Sequence, residues 1–150
     1  MLETIATVLT IVGAIFGATI YVLSARRKSI DSTRLLIARA WTNEGDIHSK
    51  ESIFITLELK NLDGDLVGEI SSNGHERLLE AHVNVGWFRS TLHVSELPGR
   101  NLSPIGTVSL RVTGNNNRLK WLLTKTPAGE DQNILPVSTI LWPSSCGVSE

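Results

Sequence analysis

The chain has 150 residues, 14 Lys+Arg against 15 Asp+Glu for a formal charge of −1, and one cysteine. That length leaves room for one domain beyond any membrane segment. The balanced charge excludes the strongly basic field that duplex nucleic-acid binding needs, and a single cysteine excludes an intramolecular disulfide.

The first stretch, Leu2 to Leu23, is apolar almost throughout, with Glu3 as its only charge. From Thr4 to Ala25 the one ionisable side chain is Tyr21. An α-helix needs about 20 apolar residues to cross a hydrocarbon core about 30 Å thick. A cleaved signal peptide fits less well, because its leading segment is basic and its apolar core shorter. A buried core helix fits less well too, since the remaining chain is too small to surround it. Residues 1–25 are therefore read as a transmembrane helix. Arg26, Arg27 and Lys28 end it and open a basic juxtamembrane linker, residues 26–33. The basic flank belongs on the cytosolic side, which predicts a single pass of the cell inner membrane with the C-terminal domain cytoplasmic. Gly13 and Gly17 form a GxxxG, and Ala14 and Ala18 repeat the spacing. Small residues four apart let two helices approach closely, so a homo-oligomer is expected.

Residues 34–143 read as a β-rich domain and residues 144–150 as a tail. Arg34 to Trp41 is taken as a first strand, with a continued helix as the alternative. In Glu51 to Lys60, Ile53, Ile55, Leu57 and Leu59 alternate with Phe54, Thr56, Glu58 and Lys60, the period of a half-buried strand. Asp63-Gly64 is a hairpin turn signal. Leu66 to Ser71 returns as a strand, and Ser72-Asn73-Gly74 turns again. Glu76 to Leu97 is a long alternating run interrupted by Gly86, either a tight turn or a bulge. Pro98 to Asn101 is a loop that Pro104 closes. Ile105 to Thr113, Arg118 to Lys125 and Val137 to Trp142 are further strands. Gly114 to Asn117 and Thr126 to Asn133 are loops between them. Seven or eight strands joined by short turns predict a small antiparallel β-barrel or β-sandwich.

Catalytic spacing is missing. His48, His75, His82 and His93 form no HxH or HExxH, and His82 and His93 meet only if Gly86 is a turn. Cys146 lies in the tail, and no phosphate-cradling glycine motif occurs. The expectation is a non-enzymatic protein without metal or cofactor. The candidate ligand-binding residues are Arg89, Arg100, Arg111, Arg118 and Lys120, with Asn116 beside them. Arginine binds phosphate bidentately. Trp87 and Trp121 are candidate stacking platforms, while packing in the core or at the rim is the other reading for all four tryptophans.

A membrane segment at residues 1–25 followed by a β-rich domain at 34–143 resembles the small membrane effectors of bacterial anti-phage signalling. These are the β-barrel effectors of cyclic-oligonucleotide (CBASS) systems and the membrane effectors of type III CRISPR systems. The resemblance is one of architecture, not of motif, and CBASS barrels usually carry two membrane helices where this chain has one. It implies a cyclic oligonucleotide that binds the cytosolic domain, rearranges the membrane helices and impairs the membrane. The expected function is thus a membrane-anchored sensor–effector in anti-phage defence, with membrane lipid, further copies of the chain and a cyclic oligonucleotide as partners. The alternative is a membrane-anchored interaction or scaffold domain that docks a protein through a free strand edge. A third reading places residues 29–150 outside the cytosol.

Overall fold

The computed structural model describes residues 2–44, 53–96, 103–115, 117–126 and 134–144, with side chains from residue 10 onward. It opens with one helix, α1 (Leu2–Ile37), of 36 residues. The helix runs straight through the segment expected to be a linker and through most of the expected first strand. The physical reason lies in residues 26–37. Arg, Lys and Leu are good helix formers, no proline interrupts them, and Arg34 pairs with Asp31 one turn back at 3.2 Å. Leu35-Leu36-Ile37 is too short for its periodicity to separate strand from helix. Ile30, Thr33, Arg34 and Ile37, at spacings i, i+3, i+4 and i+7, are half-buried or buried against the barrel.

Upstream of that stripe the helix stands apart from the barrel. Every residue from 10 to 28 is exposed, including Ile15, Phe16, Ile20 and Tyr21. Among the described residues, no helix is long and apolar enough to cross a membrane. The apolar run of the sequence begins at Thr4, where side chains are not described.

Eight strands follow: β1 (Ala40–Thr42), β2 (Ile55–Leu62), β3 (Asp65–Ser72), β4 (His75–Val85), β5 (Ser90–Glu96), β6 (Ser103–Thr113), β7 (Arg118–Lys125) and β8 (Ser138–Pro143). Each pairs antiparallel with the next, and β1 pairs with β8, closing a barrel. The sheet is thus a barrel, not a sandwich. Every described strand is paired on both sides, the β1–β8 seam being the shortest, with Trp41 against Pro143 and Thr42 against Trp142. Closure needs coiled strands, and the register shifts at Ile70/Ser72, Val94/Ser95 and Thr107/Val108 supply local bends.

One alternative is decided and two boundaries move. Gly86 lies in the β4–β5 turn, the first of its two expected roles, and the run around it is the two strands β4 and β5. Pro104 sits inside β6, next to a bulge, where a missing N–H is tolerated. Pro143 belongs to β8, and the Ser144 N–H donates to the Ala40 carbonyl at 2.9 Å. The Asp63-Gly64 turn forms as expected, with φ of 50° and 95°. Positive φ at both central residues matches the twist of the flanking strands.

Inward positions carry the core. Ile55, Leu57 and Leu59 of β2, Leu79, Ala81, Val83 and Val85 of β4, and Leu119 and Trp121 of β7 are all buried. They fill the lumen, as expected of an eight-stranded barrel. Both ends are plugged. At the helix side, Ile37 and Trp41 are buried, and the Trp41 Nε1–H donates to the Ile37 carbonyl at 2.9 Å. At the far side, the Trp121 Nε1–H donates to the Pro136 carbonyl at 2.8 Å and Leu135 packs inside. Asn43 is fully buried there; its Oδ1 accepts from the Ile55 N–H at 2.7 Å, and its Nδ2 donates to the Ile53 carbonyl at 3.0 Å.

Candidate functional site: a helix-side cleft and an acidic outer groove

The filled lumen sends any ligand to the outside of the barrel. Among the described residues, two concave regions there gather charged side chains. The first is a cleft of about 170 Å³ at the helix-side end. Thr33 of α1 forms one wall, the β4–β5 turn with Trp87 and Arg89 another, and Arg111 on β6 the third. The register explains the meeting. Ser90 pairs with Leu110, so Arg89 and Arg111 fall side by side one position further on. Arg111 in turn pairs with Lys120 on β7. Three cations therefore cross neighbouring strands in one row, and like charges in such a row repel. A phosphate or another anion would relieve that repulsion, and the guanidinium groups offer it forked donors.

Four expected site residues, Trp87, Arg89, Arg111 and Lys120, are thus in or beside one cleft. Arg118 is close by but committed elsewhere: its guanidinium lies 4.1 Å from the centre of the Trp142 ring. Trp121 is not at the surface. It is fully buried in the lumen and its N–H is used, so it offers no ring to an outside ligand. Arg100 and Asn116 lie outside the described residues, as do His48 and Cys146. Gly13, Gly17, Ala14 and Ala18 lie on the free part of α1, with open space around both glycines. Arg26, Arg27 and Lys28 are exposed where the helix leaves the barrel.

The second region, a groove of about 580 Å³, runs over β2, β3 and β4. Sequence reading missed it. Glu58 pairs with Glu69, and Glu69 with Glu80, so three carboxylates stand abreast. Lys60 and His82 line the same groove. Each glutamate is an ordinary outward residue of its own alternating run. No local signal joins them, because only register sets them side by side. The Gly86 turn also brings His82 directly opposite His93. No group of three or more His, Cys, Asp or Glu able to hold a metal ion occurs among the described residues.

One glycine in the floor of the groove sets how β2 and β3 meet. A Cβ on Gly68 would overlap the Glu58 backbone carbonyl. Only glycine allows β2 and β3 to approach that closely.

No family model, no curated protein and no solved structure matches the chain.

Proposed function

We propose that the protein is a membrane-anchored sensor–effector in which ligand binding at the helix-side cleft controls self-association of α1. The observation that carries this reading is the free part of the helix: residues 10–28 are exposed, and residues 10–25 carry no charged side chain on any face. A helix apolar all round is a buried helix or a membrane span, and the barrel does not cover this one. Thr4 to Ala25 is 22 residues without Asp, Glu, Lys or Arg. At about 1.5 Å per residue that is about 33 Å of helix, enough for the hydrocarbon core. Arg26, Arg27 and Lys28 then set the barrel on the cytosolic side of the inner membrane.

The unbroken α1 supports coupling. It reaches from the apolar span to the cleft wall without a flexible joint, so a ligand against Thr33, Arg89 and Arg111 touches the same rigid body that carries Gly13 and Gly17. A ligand shifts the helix arrangement only by its differential affinity for the two states. The resemblance implies a cyclic oligonucleotide. The cleft is below the ~300–1,000 Å³ usual for a ligand pocket, so one protomer takes a phosphate and a second protomer supplies the remaining contacts.

The test is a melting curve of the full chain in detergent with cyclic di-, tri- and tetranucleotides. Binding to the folded state at about 100 times Kd adds about 2.7 kcal/mol, and a double Arg89→Ala, Arg111→Ala variant should lose the shift. Absence of a shift with every nucleotide would sink the ligand assignment. Gly13→Leu with Gly17→Leu should abolish helix crosslinking and effector activity while membrane anchoring persists. Retained activity would favour a scaffold whose helix only anchors.

A further inference from the structure

The β4–β5 turn holds the most exposed large apolar side chain among the described residues. Phe88 is 81% exposed and Trp87 44%. Their rings stack on each other, centroids 5.0 Å apart. A stacked, solvent-facing Trp–Phe pair is poorly placed for water. It is well placed for a bilayer interface, where rings with one apolar and one wet side collect.

Position points the same way. The turns β2–β3, β4–β5 and β6–β7 share the end of the barrel from which α1 leaves, since β1 starts there and successive strands alternate in direction. The Trp87–Phe88 turn lies against Thr33 of α1. Thr33 is eight residues past Ala25, where the uncharged run ends, a rise of about 12 Å. The headgroup region on one side of a bilayer is about 5–8 Å deep, so the turn stands just above it, within reach of two large aromatic side chains. Arg89 follows directly in the chain, and Leu62, the last residue of β2, is 58% exposed at the same end. Cations beside exposed apolar groups suit anionic headgroups over acyl chains.

We infer that the β4–β5 turn is a second membrane contact: Trp87 and Phe88 seat in the interface of an anionic phospholipid bilayer, with Arg89 at the phosphate level. The barrel then rests on the membrane by its helix-side end instead of swinging on α1. This inference rests on α1 being a membrane span, and does not depend on the nature of the cleft ligand.

The test uses the full chain reconstituted in phosphatidylcholine/phosphatidylglycerol vesicles containing lipids brominated at shallow or deep acyl positions. Bromine quenches nearby tryptophan. α1 has no tryptophan, Trp41 and Trp121 are fully buried, and Trp142 lies under Arg118, so Trp87 is the reporter. Shallow bromolipid should quench the wild-type chain more than deep bromolipid, and that quenching should be lost in Trp87→Phe. Phe88→Trp should add a second shallow-quenched ring. Equal quenching of wild type and Trp87→Phe, in chains that resist extraction by alkaline carbonate, would overturn the membrane contact and leave the anchor standing. Extraction of the chain by carbonate would overturn the anchor, and the contact with it.

Discussion

Trp41 joins α1 to the barrel with one side chain. Its ring fills the helix-side end of the lumen, its N–H reaches the Ile37 carbonyl, and the Arg39 guanidinium lies 4.3 Å from the ring centre. The carbonyl it caps is one of the last in the helix, which have no partner within the helix itself. The same carbonyl also accepts from the Arg39 N–H at 2.7 Å, so Trp41→Phe keeps a ring, removes one of two donors and should cost about 0.5–1.5 kcal/mol in urea unfolding of the full chain in detergent. An unchanged midpoint would mean that the Arg39 N–H satisfies the carbonyl alone. Gly68 is the second single-residue constraint. In Gly68→Ala the added methyl meets backbone, the Glu58 carbonyl, and not a side chain that can turn away. Destabilisation should exceed the about 1–3 kcal/mol of ordinary overpacking. A variant that melts with the wild type would show that β2 and β3 can separate there at little cost.

Between strands, charge arrangement follows register. Glu58, Glu69 and Glu80 are direct cross-strand neighbours, and like charges directly opposite each other are destabilising. Glu69 is the middle of the three, so Glu69→Gln removes both close repulsions at once. It should stabilise the barrel by about 0.2–1 kcal/mol at low salt, and the gain should vanish near 1 M salt, where the screening length is about 3 Å. A gain that survives high salt would have to come from packing. Arg89, Arg111 and Lys120 form the counterpart row at the cleft, and there the repulsion is available to reward an anion. In α1, the two halves of one element meet different surroundings: residues 29–37 have a barrel-facing stripe, whereas residues 10–28 have none.

For the molecule as a unit, the arrangement is a plugged barrel on a rigid stalk. With the lumen occupied by Trp41, Trp121 and the aliphatic core, the proposed ligand would have to bind on the outside, and the helix-side end is where the outside meets α1. The proposed membrane anchor has a direct consequence. A reporter fused after Glu150 should be active when it is a cytosolic fluorescent protein and inactive when it is a periplasmic phosphatase, because the proposed anchor puts its basic flank, and the barrel with it, on the cytosolic side. The reverse pattern would put the barrel in the envelope and remove the cyclic-oligonucleotide reading with it.

Much of this was legible in the order of residues. The alternation in Ile55–Leu59 and Leu79–Val85 marks strands and their buried faces, because side chains on a strand have period two whatever the strand pairs with. Asp63-Gly64 marks its turn, because the backbone there must take positive φ. The apolar run from Thr4 to Ala25 is likewise a property of neighbouring residues. Other features were silent. Residues 26–37 read as linker and strand because the helix there is held by a sparse stripe, Ile30 to Ile37, whose partner is a barrel not yet built in any local window. Barrel against sandwich turned on one short seam, β1 with β8, between residues about a hundred positions apart. The acidic row, the cationic cleft and the burial of Trp121 all follow from register and closure. Those are set by packing of the whole sheet, and no stretch of the chain contains them.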